Sequence, residues 1–499
     1  MGSTFSVLSL ASRGLYVNQR ALDTTGHNVA NVNTPGYTRQ QVMQGDMPYL
    51  KSGQHQIGTG VGIEKLRQVR SIFLDNMYRN EESTLGYWQA RDNALMDIAA
   101  IMGDFSNVGG MQDGIDAFFN AWAEVSKDPT GGKERASLIG YANSLVNRFN
   151  QLDSQLDQMQ KNLNTQIKSM VDDINSIAEQ AAKLNGKIAK CEANGDNAND
   201  YTDELNSLLD TLANYVDINV SRDKNGMYRV SVGGVSLVNG TDFNKLICKA
   251  DSPNGTFNTI IWEKSGMKLK LKEGMLLGLL ESCGAERKSP PETGASEADV
   301  DADSESYNFS GTGKGLIMEL RTGLDMLVNL LARKINAIHS RGEGLDGSTG
   351  IDFFVKIDDN LPFAAGNIQV NPELDDTNKI AASSIGGSDD GAIANEIADF
   401  IDMEYFQNDG LKMNVRDFYA MMVDWVGTQG QEAESFVGNQ ATLVQQLAGK
   451  KESLSAVSLD EELSNLIKYQ HAYNACAKLM STIDGMLETL IERTGLVGR

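Results

Sequence analysis

The chain has 499 residues, 41% of them apolar and 22% charged, which is ordinary for a globular protein and excludes disorder throughout; a chain this long suggests about three folded units. Its formal charge of −23 repels phosphate backbones and anionic lipid, so neither nucleic-acid nor membrane-surface binding is expected. No run of ~20 consecutive apolar residues is present, so no membrane insertion is expected, and the scattered Cys191, Cys248, Cys283 and Cys476 do not form a disulfide framework.

In chain order, Leu8, Ala11, Leu15, Asn18, Leu22, Thr25 and Val29 recur in steps of three and four, which predicts an amphipathic N-terminal helix. Arg13 and Arg20 interrupt any apolar signal core, so a cleaved secretory leader is not expected. The helix should stop near Asn33-Thr34-Pro35-Gly36, because proline disfavours helix in the residue before it and Pro-Gly suits a tight turn.

A long helical block is predicted from Glu134 to Lys190. Its seam is Leu145, Phe149, Leu152, Leu156, Met159, Leu163, Ile167, Met170, Ile174, Ile177, Ala181, Leu184 and Ile188. The four-four step at Met159, Leu163 and Ile167 should relax any supercoil there.

Strand signals follow between Tyr215 and Leu271, in VDINVSR, MYRVSVGG, VSLV, TIIWEK and MKLKLK. The turns between them contain Gly226, Gly233-Gly234 and Pro253-Asn254-Gly255. Residues 285–314 carry seven carboxylates and few apolar side chains, as a surface insertion would.

Further helices are predicted over Leu316–His339 and between Asp390 and Lys451. Ser458 and Glu461 form an S-x-x-E capping box, which opens a C-terminal helix of about nine turns. Leu459, Leu463, Leu466, Gln470, Tyr473, Ala477, Met480, Asp484, Leu487 and Ile491 keep 4-3 spacing along it. The expected fold is therefore mainly α with a smaller β-rich part. Single helices of this length are marginal in water, so each terminal helix must pack against the other end or another molecule.

Site chemistry is hard to find. His27, His55, His339 and His471 lack second ligands at zinc-like spacing. The run from Gly58 to Gly62 lacks the strand–helix frame of a dinucleotide site. Asp299, Asp301 and Asp303 resemble the start of a calcium loop, but Ser304 and Ser310 stand where that loop needs Gly and Glu. No catalytic, metal or cofactor residue is predicted, and the chain is not expected to be an enzyme.

Three segments carry a family signal. Residues 21–42, with Asn28 followed by Ala30, Asn31, Val32, Asn33, Thr34, Pro35, Gly36 and Tyr37, match the core A-N-x-N-T-P-G-Y. That core resembles the N-terminal motif of flagellar rod, hook and hook-associated proteins. Residues 458–491 place Leu466, Tyr469, Gln470 and Tyr473 in an L-x-x-Y-Q-x-x-Y pattern similar to the C-terminal helix of the same axial proteins. Residues 335–354 carry Asn336, His339, Gly342, Gly344, Leu345, Gly347, Gly350, Phe353 and Phe354. This stretch narrows the resemblance to hook-associated members. The acidic insertion 285–314 has no counterpart in the family.

The resemblance implies an extracellular structural subunit at the hook–filament junction, exported by the flagellar type III apparatus without a cleaved leader. Residues 1–45 and 455–499 would pair as an inner helical domain along the axial tube. Residues 46–214 with 386–454 would form a helical outer domain, and 215–385 a β-rich outer domain holding the helix 316–340 and the insertion. The seams at Leu8, Leu15 and Leu22 and at Leu463, Leu466, Tyr469, Gln470, Tyr473, Met480 and Leu487 would pack against each other and against neighbours. Implied partners are identical subunits in a ring, the hook protein, the third hook-associated protein, and an export chaperone shielding the C-terminal helix. Another axial protein (hook, distal rod or third hook-associated), an enzyme with helical ends, and a cytoplasmic coiled-coil scaffold are the rival readings.

Overall fold

The structure, a computed structural model, describes residues 4–52, 55–103, 110–223, 226–250, 258–284, 305–306, 315–384, 390–408 and 411–493. The acidic segment 285–314 therefore lies outside the described residues, apart from Glu305–Ser306. So does the calcium-like run from Asp299 to Asp303. Ten α-helices are described: α1 Thr4–Ala30, α2 Ile72–Met102, α3 Met111–Lys127, α4 Gly132–Ala193, α5 Asn199–Tyr215, α6 Met275–Cys283, α7 Leu316–His339, α8 Ala392–Asp399, α9 Val415–Ser455 and α10 Leu459–Arg493. The fold is mainly helical, with a smaller share of sheet. Every one of the thirteen seam residues predicted between Leu145 and Ile188 is buried, because a sustained helical period leaves one face apolar whatever covers it.

The chain divides into two compact units. The first holds both ends, Met1–Ser83 and Ala441–Arg499, together with Ile174–Lys245. Within it α1 packs along α10, so the N- and C-terminal helices are paired in one helical unit. Strands β1 (Gln40–Asp46) and β4 (Val61–Gln68) pair antiparallel, with the short hairpin β2 (Leu50–Ser52) and β3 (His55–Ile57) between them in sequence. A four-stranded meander follows α5: β5 (Ile218–Arg222), β6 (Tyr228–Val232), β7 (Val235–Asn239) and β8 (Asp242–Phe243). Gly233 and Gly234 form the two-residue link from β6 to β7 with φ of 55° and 82°, the left-handed pair that such a tight hairpin requires.

The buried edge of α1 is offset from its leucine stripe. Ala11, Gly14, Val17, Ala21, Thr24 and Asn28 are buried, while Leu8, Leu15 and Leu22 flank them half-exposed. Small residues let the helix axes approach: a Cβ on Gly14 would stand 2.9 Å from the Cys476 sulfur of α10. On α10, Leu466, Tyr469, Tyr473, Cys476, Met480, Ile483 and Leu487 are half-buried or buried, while Leu463 and Gln470 are exposed.

The second unit comprises Thr84–Asp173 and Leu246–Gln440. It includes the hairpin β9 (Leu246–Ala250) and β10 (Asn258–Trp262), extended by a bridge from Ile261 to Lys268. Helix α7 is buried nearly all round, and near its C-terminal end two polar side chains hold defined partners. The Asn336 side-chain amide donates to Phe354 O at 2.7 Å and accepts from Phe354 N at 2.8 Å. His339 lies 2.7 Å from Ile351 O through Nδ1, and its Nε2 accepts from Ala381 N at 2.9 Å. These bonds fix the glycine-rich stretch against α7, with Phe353 and Phe354 packed on Phe118 and with Phe353 also on Trp122.

Burial pushes the His339 imidazole down to about 4. The unfolded chain protonates this ring near 6.5, whereas the folded one holds it neutral to about 4. The unfolded state therefore binds the extra proton between those values, and stability falls as pH drops through that window. The second unit should lose ~3 kcal/mol from this group between pH 7 and pH 4. Urea midpoints across that range, compared with those of His339→Gln, would test this; parallel curves for the two proteins would refute it.

Candidate functional site

The predicted motif closes α1 and starts the path to β1. The helix ends at Ala30, and a turn follows in which Thr34 N donates to Asn31 O at 3.0 Å and Tyr37 N to Thr34 O at 3.2 Å. The Asn31 amide returns to His27 O at 3.0 Å, and Thr34 Oγ1 donates to Asn31 Oδ1 at 3.2 Å. Asn31 thus supplies the helix-end carbonyl with a partner, and Pro35-Gly36 turns the chain, with φ of 77° at Gly36. Asn33, Thr34, Pro35 and Gly36 are exposed, as is Ala30.

Asn28 is the centre of the arrangement. Its side chain is buried and uses its full bonding capacity. Nδ2 donates to Gln40 O at 2.9 Å and to Glu462 Oε2 at 3.0 Å. Oδ1 accepts from Tyr37 Oη at 2.8 Å and from Gln40 N at 3.0 Å. One side chain therefore joins the end of α1, the motif tyrosine, the first residue of β1 and the first turn of α10. Burial, followed by the charges of Asp200, Asp203 and Glu462, pushes the Tyr37 phenol well above its usual range, so it stays a donor. His27 Nδ1 sits 2.9 Å from the same phenol oxygen.

Glu462, almost fully buried, is held on its other oxygen by Arg39 Nε at 2.9 Å, and Arg39 Nη1 donates to Glu461 Oε2 at 2.7 Å. Glu461 is thereby drawn to Arg39, and the capping bond of α10 that remains is Glu461 N to Ser458 Oγ at 3.5 Å. The backbone joins the same foot: Arg39 N donates to Ser455 O at 2.9 Å. From α5, Asp203 accepts from Thr38 N at 2.9 Å and Asp200 from Gln40 Nε2 at 2.9 Å. Burial raises the Asp203 carboxyl despite the Thr38 bonds and the nearby Arg70.

A groove of about 420 Å³ runs beside the turn, lined by Asn31 to Thr38 and by Arg70, Asp210 and Lys451, which belong to an ionic cluster. In that cluster Arg70 bonds Asp75, Arg79 donates to Asp210 at 2.8 Å, and Lys451 pairs with both Asp75 and Asp210. Opposite charges alternate through it, so the groove is structural in character rather than a bed for a charged ligand. Among the described residues, no group of three or more metal-ligating side chains comes together.

The structure gathers Asn28, Asn31, Thr34 and Tyr37 into one bonded foot, and places Leu466, Tyr469, Tyr473, Met480 and Leu487 along the α10 edge. Leu463 and Gln470 lie outside it. Sequence reasoning missed Glu462 and Arg39. A usable signal existed: Glu462 stands four residues before Leu466 and seven before Tyr469, so it shares their helical face and needs a buried cationic partner.

Comparison with known proteins agrees with this architecture. Residues 95–354 match the family described as flagellar hook-associated protein FlgK helical domain. Residues 8–38 match flagella basal body rod protein, and 452–493 the flagellar basal body rod FlgEFG protein C-terminal family. The chain is 30% identical to flagellar hook-associated protein 1 of Bacillus subtilis, over all of both chains. The chain belongs to the FlgK family. The Salmonella typhimurium and Escherichia coli proteins of the same name are 24% and 22% identical, each match covering 97% of this chain and 99% of the relative. The flagellar hook junction protein FlgK from Burkholderia pseudomallei shares the fold, with a TM-score of 0.61 at 14% identity over 76% of this chain and all of that one. This FlgK-family chain is a structural component of the bacterial flagellum, a hook-associated protein of the hook–filament junction that assembles with other flagellar parts. Among its described residues, no helix is long and apolar enough to cross a membrane.

Proposed function

We propose that copies of this chain form a ring joining hook to filament, with α1 and α10 as its inner layer, residues 1–45 with 455–499 forming the axial domain and the rest lying outside. What carries this reading is the apolar surface that the paired terminal helices leave uncovered: Val7, Leu10 and Tyr16 on α1, and Leu459, Leu463, Ile467, Leu479, Met486 and Ile491 on α10. A lone chain gains nothing by exposing such a row, whereas a packed neighbour buries it. The asymmetric demand of a flexible hook on one side and a stiff filament on the other suits a ring with two unlike faces. One face meets the hook protein and the other the third hook-associated protein. Before assembly, a flagellar export chaperone covers α10, and the chain leaves through the flagellar type III apparatus. The work is mechanical, with no turnover.

A strain lacking the protein should build hooks and release unpolymerised flagellin into the medium; normal filaments on its hooks would overturn the reading. Amide exchange gives a second test. In dilute monomer the outer halves of α1 and α10 should exchange readily and become protected on assembly. Full protection of both helices in the monomer would mean that assembly orders nothing there.

A further inference from the structure

The same unit carries a second surface, away from the motif turn, that the family reading leaves unused. A groove of about 910 Å³ is lined by α1, the β1–β4 pair and the segment after α4. Its walls combine the exposed Tyr16 and Met47 with three cations, Arg13, Arg20 and Lys65, against Glu64 and Asp196. Among the described residues none of the three cations forms an ion pair; Arg13 donates to the Thr59 carbonyl at 3.1 Å. Excess positive charge beside apolar surface is uncommon on a chain of net charge −23, and it calls for an acidic, apolar occupant.

This chain presents such a segment. The start of α10 exposes Leu459, Leu463 and Ile467, at 46%, 50% and 55%, on one row of the helix, with the exposed Asp460 beside them. We propose that the groove of one copy receives the Leu459–Leu463–Ile467 row of the next, with Asp460 facing the Arg13, Arg20 and Lys65 side. Groove and row are different patches, so the contact is heterologous and repeats around a ring. The proposal rests on the ring reading and names the surface that propagates it.

A native thiol makes the contact testable, because Cys191 lines the groove. Hooks isolated from cells expressing Leu463→Cys would be oxidised mildly with copper phenanthroline. A disulfide forms only when the two Cα atoms come within ~7 Å. A ladder of cross-linked chains is expected, and it should vanish when Cys191→Ser is added. Dimers that survive Cys191→Ser mean that rows meet rows, and a surviving ladder means that the introduced thiol meets another native cysteine; either outcome overturns the proposal. So does the absence of any ladder on hooks that carry the chain. Hooks that carry no chain in any variant would remove the ring reading itself. Independently, Arg20→Glu should cut the yield about threefold, the size expected of one exposed ion pair, and Asp460→Lys should restore it. A yield indifferent to both changes would also overturn the proposal.

Discussion

Replacing Asn28 with leucine should detach the foot of α10 and destabilise the unit that holds both termini by about 3–5 kcal/mol. Leucine nearly preserves the volume but offers none of the four bonds. Gln40 N and O, Tyr37 Oη and Glu462 Oε2 would all lose a partner, and three of these groups are backbone or neutral while the last belongs to a buried carboxylate. Each unsatisfied buried group costs about 1–3 kcal/mol, and local relaxation recovers part of the sum. Glu462 would keep Arg39, so the helix should loosen at its start rather than unfold outright. Denaturant titration and amide exchange over residues 459–470 would measure this, with swimming as the functional readout. Asn28→Asp should behave worse at neutral pH than in mild acid, since it sets a second carboxylate against Glu462. A leucine variant within about 1 kcal/mol of the parent, with unchanged exchange at α10, would show that the motif asparagine is not the anchor.

The second large effect is expected in the other unit. Arg321 of α7 is buried and grips Asp153 of α4 through two bonds, Nε to Oδ1 at 3.0 Å and Nη2 to Oδ2 at 3.2 Å. Its Nη1 donates to Asp157 at 3.0 Å and to Gln160 at 3.1 Å. Burial would raise the Asp157 carboxyl, but bonds and charge from Lys161 and Arg321 outweigh it and hold it below its ordinary value. Arg321→Met removes the cation while Asp153 stays buried, at a cost of about 3–5 kcal/mol. For a unit of this size that lowers Tm by on the order of 10 °C. Arg321→Lys should recover only part, because an ammonium cannot make the paired contact. Adding Asp153→Leu to Arg321→Met should restore stability relative to the single variant, since no lone charge then remains. Additive losses in the double variant would show that the pair is not the source of the effect.

How far the sequence reached depends on the range of the interaction. The thirteen seam residues of α4, the bounds of α7 and the Gly233-Gly234 hairpin depend on neighbours a few residues away, so a helical period or turn chemistry sufficed. The β1–β4 pair was missed because QQVMQGD is mostly polar and lacks the β-branched alternation that marks a strand. The motif segment was legible as a helix stop and as a family signal. Its bonding to α10 was not, because Asn28 and Arg39 lie more than 400 residues from Glu462 and nothing local selects that partner.

By itself the sequence determined the helices α4, α7 and α10, the stop at the end of α1, the apolar face of α4, and that the two ends must be covered, whereas α2, α3, α5 and α6 were not read from it. Only the tertiary structure decided what covers them. Along α1 the buried positions include Ala11, Gly14 and Ala21 while Leu8, Leu15 and Leu22 are half-buried, and at Gly14 the close approach of α10 would leave a Cβ only 2.9 Å from the Cys476 sulfur. Leu463 and Ile467 stay exposed, and the β5–β8 meander belongs to the unit of the termini. Periodicity describes one helix at a time, whereas burial belongs to pairs.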